Sequence, residues 1–283
     1  MTRLVEDFSD RDAGQFGATR TRRITSRCEE PNNCHLLSVL VSVLCVGMLA
    51  RSVTMLLLRH GQSEWNAVGR WQGTADSPLD ELGRRQARQM AELLAATELR
   101  FTNVWASDLE RASQTASIIG EILGLDGVTT APMLREAHAG EWEGLTADEI
   151  DRDWPGHLEQ HLRPPTFEPF ESVVERALVG LRAIAAASNG SDGIALVIAH
   201  SGLVRAIRRH LGADDARIPN LGGTWLTIHP MGPDSSTGDP LDTRGIVVGD
   251  LFDPAGIAIT GVDIHGEDPG QQADQPDADR QPQ

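Results

Sequence analysis

The chain has 283 residues, 40% hydrophobic and 23% charged, which suits one large domain with appendages. All 25 basic residues are arginine, set against 41 acids for a net charge of −16, and there is no tyrosine. That excludes lysine Schiff-base and P-loop chemistry and any tyrosine nucleophile, and it argues against a nucleic-acid or anionic-membrane surface. Along the chain, Thr2 to Pro31 is polar and aperiodic and reads as disordered. Cys28, Cys34 and Cys45 all lie before residue 46, so the body needs no disulfide or thiolate metal site, as in a reducing, cytoplasmic setting. Leu36 to Ala50 is an apolar run of 15, short of the roughly 20 residues that span a bilayer. It leaves three readings open: translation starting later, at Met48 or Met55, which we favour, a membrane anchor, or a cleaved signal with a poor cleavage site.

Regular signals begin at Val53 to Leu58, an almost wholly apolar run suited to a central strand buried on both faces. Leu82 to Leu94 places Leu82, Ala87, Met90, Ala91 and Leu94 on one helical stripe. A brief strand at Asn103 to Ala106 and a helix from Ser107 to Leu123, closed by Gly124, come next. A helix is expected at Phe170 to Ala187, a buried strand at Gly193 to Ala199, and a helix at Leu203 to Leu211 ending at Gly212. Thr224 to Ile228 and Ala255 to Ile264 read as later strands. The alternation implies an α/β fold, a three-layer α/β/α sandwich on a mostly parallel sheet. Expected boundaries are an extension over 1–53, the folded domain over 54–265 and an acidic tail over 266–283.

In such sheets ligands bind where strands end and helices begin. The first buried strand ends in Leu58-Arg59-His60-Gly61-Gln62-Ser63-Glu64-Trp65-Asn66, and the strand Gly193 to Ala199 ends in His200-Ser201-Gly202. Two histidines thus leave the same sheet edge, each closely followed by a glycine.

These residues resemble the histidine phosphatase superfamily, which includes the cofactor-dependent phosphoglycerate mutases. The likeness runs from about Thr54 to about Pro230. Further matches follow in order: Trp71-Gln72-Gly73 with Asp76-Ser77-Pro78-Leu79, then Ser107 to Ala116 around Arg111, then Leu134-Arg135-Glu136 with Gly140-Glu141-Trp142-Glu143-Gly144, and Ala199-His200-Ser201-Gly202. The resemblance implies that His60 attacks phosphorus and forms a phosphohistidine that water then hydrolyses. It implies that Arg59 and Arg111 bind the phosphoryl oxygens, that His200 and Asn66 donate further hydrogen bonds, and that Glu136 is the general acid and base. Gln72, Gly73 and Ser201 join the expected substrate site, Glu141 and Glu143 are spare acids, and Trp142 is expected to pack. No cofactor and no metal are implied.

Within the family, the 64 positions from Glu136 to His200 resemble the shorter phosphatases rather than the mutases. The expected reaction is hydrolysis of a small phosphorylated metabolite, with a mutase or a catalytically silent phosphate binder as alternatives. No nucleic-acid or membrane partner is expected, and a homodimer is left open. Phe170 stands where the family usually has a glycine, and Met231 to Gly245 is an atypical Asp- and Gly-rich insert, so substrate identity does not transfer. His157 and His161 have a spacing compatible with metal, but the prolines after them favour a surface segment.

Overall fold

The computed structural model describes residues 51–230 and 241–254. The expectations for the extension, the apolar run 36–50, the strand 255–264, the acidic tail and most of the 231–245 insert lie outside the described residues.

Six strands form one sheet in the order β3-β2-β4-β1-β5-β6. They are β1 (Val53–Arg59), β2 (Phe101–Ala106), β3 (Val128–Thr130), β4 (Ile194–Ala199), β5 (Gly223–Ile228) and β6 (Ile246–Phe252). Strands β1 to β4 run parallel, whereas β5 and β6 add on antiparallel beyond β1. Strand β1 is apolar from Met55 to Leu58 because it is covered twice. Met55 and Leu57 face a core built with the long helix α5 (Phe170–Ala187) and with α6 (Ser201–His210). Leu56 and Leu58 face a second core built with α2 (Glu81–Ala95) and α3 (Glu110–Leu123). Helices therefore cover both sheet faces, giving the three layers. Short helices α1 (Glu64–Ala67) and α4 (Ala147–Asp153) lie in the connections.

Four elements escape the periodicity argument. Helix α1 has four residues and strand β3 three, and α4 has seven and is nucleated by a capping box between Thr146 and Glu149. Strand β6 carries Gly249 and Asp250, both disfavoured in strands. It is accommodated by a register shift opposite Thr224 to Leu226, where the ladder bulges.

The topology fixes where a ligand can sit. From β1 the chain departs through α2 toward β2, on one side of the sheet order. From β4, hydrogen-bonded beside β1, it departs through α6 toward β5 on the other side. The carboxyl ends of β1 and β4 therefore flank a switch point, the crevice that open α/β sheets use for ligands. His60 and His200 stand directly after these ends. Among the described residues, no helix is long and apolar enough to cross a membrane.

Candidate active site

Pairing of β1 with β4 sets the two histidines side by side. His60 N–H donates to the Ala199 carbonyl at 3.0 Å, and the two imidazoles meet edge to face with centroids 5.1 Å apart. His60 is only 3% exposed and His200 is fully buried. His60 Nδ1 lies 2.6 Å from the Gly61 carbonyl. A carbonyl only accepts, so Nδ1 carries the proton and Nε2 keeps the lone pair. Burial, then the charges of Arg111 and Arg59, push His60 well below the ordinary imidazole value of 6.5. His60 is therefore neutral at pH 7 and presents a nucleophilic nitrogen.

Residues outside the expected site hold this loop. The Asn220 amide donates to the His60 carbonyl at 2.9 Å. Gly61 N–H donates to Thr115 Oγ1, whose hydroxyl donates in turn to the Arg111 carbonyl. Arg59 is anchored by its guanidinium to the Ile218 carbonyl at 3.1 Å, and its backbone pairs with Leu221 and Gly222. The turn signals in Pro219-Asn220-Leu221-Gly222-Gly223 predict a loop there, but nothing in them points to His60.

Arg111 reaches the same centre from the first turn of α3. Its two terminal nitrogens donate to the Ala75 and Gly73 carbonyls at 2.7 and 2.9 Å, while the buried Nε has no partner among the described residues. Burial lowers it to about 10, partly offset by the carboxylates of Glu136 and Asp76, so it stays charged at neutral pH. The Gly73 loop is made by its backbone. Gly73 has φ +52°, and a Cβ there would lie 2.2 Å from Glu143 Oε1. Glu143 accepts from Thr74 N, Thr74 Oγ1 and Ala139 N, and so holds the loop that aims Arg111.

Glu136 follows a turn at Pro132–Leu134. Its Oε1 accepts from Ala137 N and its Oε2 from Gly202 N, both at 2.9 Å. Gly202 is the second residue of α6, so the acid is tied to the helix that His200 starts. Arg176 of α5 secures the turn from below by donating to the carbonyls of Met133, Arg135 and Glu136.

The other expected residues take supporting positions. Asn66 closes a capping box with Ser63 at the start of α1, and Gln72 Oε1 accepts from Ser63 Oγ at 2.8 Å. Ser201 begins α6. Glu141 accepts from the Thr166 hydroxyl and is exposed. Trp142 is fully buried and packs edge-on against Trp71, Trp154 and Phe167. His157 and His161 lie in consecutive turns after α4, not on a helix, and His161 has φ +56°.

His200 completes the arrangement. Neither of its ring nitrogens has a hydrogen-bond partner among the described residues. Burial first, then Arg111 and His60, hold it well below 6.5. Beside the centre, a cavity of about 470 Å³ opens from Glu136, Gly73 and Gly202 toward the Leu162–Phe170 stretch and the outer face of α6.

The chain is similar to several known proteins. The profile of the histidine phosphatase superfamily, branch 1, matches residues 55–234. The chain is 34% identical over 201 residues to the glucosyl-3-phosphoglycerate phosphatase of Mycolicibacterium vanbaalenii, covering 66% of this chain and 87% of that one. It is 36% identical over 185 residues to the enzyme of the same name from Mycobacterium tuberculosis, covering 61% and 82%. The mycobacterial glucosyl-3-phosphoglycerate phosphatase in complex with VO3 superposes with a TM-score of 0.55 at 31% identity, over 71% of this chain and 97% of that one. The chain belongs to the histidine phosphatase superfamily, branch 1, and is a hydrolase of that type.

Proposed function

We propose that the protein is a metal-independent phosphomonoesterase for a small metabolite, working through a phosphohistidine on His60. The observation that carries this reading is a set of buried donors converging on one nucleophile with no protein acceptor. They are the Nε of Arg111 and the single N–H of the neutral His200, neither of whose ring nitrogens has a protein partner among the described residues. A buried donor left unmatched costs about 1–3 kcal/mol, and the oxygens of a phosphoryl group are acceptors of the right kind. The relative solved with VO3 shows that such an oxyanion is bound by a protein of this fold.

In the proposed cycle His60 Nε2 attacks phosphorus in line, and the P–O bond to the alcohol breaks. Arg59, Arg111 and His200 take up the charge on the phosphoryl oxygens. Glu136, held at the edge of the cavity, protonates the departing alkoxide. The resulting carboxylate then takes a proton from water, which attacks phosphorus and releases phosphate from His60.

The test compares wild type with His60→Ala on an aryl phosphate, and wild type on glucosyl-3-phosphoglycerate, 3-phosphoglycerate and sugar phosphates. The expected result is loss of hydrolysis in His60→Ala and an acid-labile phosphoprotein in the quenched wild type. Equal rates in the two proteins would sink the reading. Conversion of 3-phosphoglycerate to its 2-isomer without phosphate release would assign a mutase instead.

A further inference from the structure

The cavity beside Glu136 has more cationic side chains than phosphate binding requires. Helix α6 runs from the catalytic centre along the cavity wall, and Gly202, Arg205 and Arg209 fall at steps of three and four on one face. At 1.5 Å per residue, Arg205 stands about 4.5 Å and Arg209 about 10.5 Å along the axis from the residue that binds Glu136. Both guanidiniums are held. Asp215 accepts from Arg205 Nε at 2.7 Å and lies 3.8 Å from Arg209, while Arg209 also stacks 4.3 Å above Phe170. A third cation, Arg163, rests over Trp71, Trp142 and Phe167 at 5.1–5.2 Å and lines the same cavity. Besides Asp215, the acids on the wall are Glu136, which accepts from Ala137 N and Gly202 N, Glu168, which Arg176 binds bidentately, and Glu171, which is exposed. Aromatic and carboxylate contacts fix these guanidiniums in place, so binding an anion there loses little side-chain entropy.

We infer that the substrate's alcohol carries a carboxylate beyond the scissile oxygen, and that Arg205 and Arg209 are the specificity-determining residues that receive it. The inference rests on the phosphatase reading and deepens it. Arg59 and Arg111 hold the phosphoryl group at one end, and the α6 arginines hold a second anion at the other. Such a two-point clamp orients the ester for in-line attack.

A matched pair of esters tests this. 3-Phosphoglycerate and glycerol 3-phosphate differ in whether the far carbon is a carboxylate or an alcohol. With the full-length wild type, kcat/KM should favour the carboxylate ester at least tenfold. The preference should collapse to within about twofold in Arg205→Met/Arg209→Met. Each ratio is taken within one protein, so partial loss of fold cancels, and the wild-type ratio needs no substitution at all. If neither ester turns over while an aryl phosphate does, the same ratio is read from their competitive inhibition of aryl phosphate hydrolysis. A wild-type ratio near one, or a preference that persists in the double variant, would overturn the inference and leave the phosphatase reading standing. Failure on the aryl phosphate as well would overturn both.

Discussion

The backbone N–H of Gly202 donates to Glu136 Oε2 at 2.9 Å, and a Cβ at position 202 would stand 2.5 Å from Glu136 Oε1. The second residue of the helix behind His200 is thus in direct contact with the proposed general acid. The N-terminal turn of a helix favours a carboxylate, and the missing side chain lets that carboxylate approach.

Gly202→Ala therefore displaces Glu136 without touching His60. A misplacement of about 1 Å costs on the order of 100-fold in rate. The expected outcome is a kcat lowered by roughly that factor on an alkyl phosphate. The loss should be smaller on an aryl phosphate, whose leaving group needs less protonation. Equal losses on both would place the damage elsewhere than the acid.

The two buried histidines predict an acid-sensitive fold. Both are held well below 6.5 in the folded state, by burial first and then by the neighbouring cations. The unfolded chain therefore binds more protons than the folded one as pH drops below about 6.5, and stability falls until the folded-state values are passed. Each histidine can contribute at most about 1.4 kcal/mol per pH unit in that window. In urea denaturation series, His60→Gln/His200→Gln should lose stability less steeply than wild type below pH 6.5. Parallel slopes would show that the histidines are not buried in the neutral form.

Much of this site is written locally in the chain, and the rest is not. His60 and His200 are legible because each closely follows an apolar run and is soon followed by a glycine, a pattern that sheet physics converts into an edge position. Arg111 and Glu136 are legible only through the family motifs around them, since arginines and glutamates on other helices look the same. Asn220 and Arg176 act across 160 and 40 positions of sequence, through a side-chain bond to the His60 carbonyl and to the Glu136 carbonyl. Neither has a local pattern that periodicity can detect. Strand β6 was hidden for a different reason: Gly249 and Asp250 break the apolar run, and only the bulge against β5 makes room for them. Asn66, expected at the substrate, has its Oδ1 accepting from Ser63 N at 3.3 Å, a local bond that the motif alone does not reveal.

Arg111→Lys should behave as a severe lesion despite keeping the charge. The guanidinium spans two carbonyls, of Gly73 and Ala75, and still turns its Nε inward. A lysine ammonium is a single point that cannot meet all three demands. Loss of one oriented donor to a developing oxyanion costs about 100- to 1000-fold in kcat. Steady-state kinetics of Arg111→Lys and Arg111→Ala should give losses within about tenfold of each other. A lysine variant close to wild type would show that charge alone suffices.

Arg176 and Glu168 should act as one unit on Glu136. Arg176 donates to three carbonyls of the turn that precedes and includes the acid, and it binds Glu168 through two nitrogens at 2.7 and 2.9 Å. Glu168 also accepts from His138 N at 3.1 Å, and its own N–H donates to the His138 carbonyl at 2.9 Å. The pair thus joins the cavity-lining stretch to the loop that carries the acid. Removing one partner leaves a half-buried charge unmatched, so each single variant is costly, and the second removal adds little. In a double-mutant cycle, Arg176→Met and Glu168→Gln should each lower kcat with KM little changed, and the double variant should be no worse than the poorer single. A loss in Arg176→Met that is larger on an alkyl than on an aryl phosphate, the pattern expected for Gly202→Ala, would mark the effect as acting through Glu136. Additive losses of equal size on both esters would mean instead that the pair serves only to hold α5 in place.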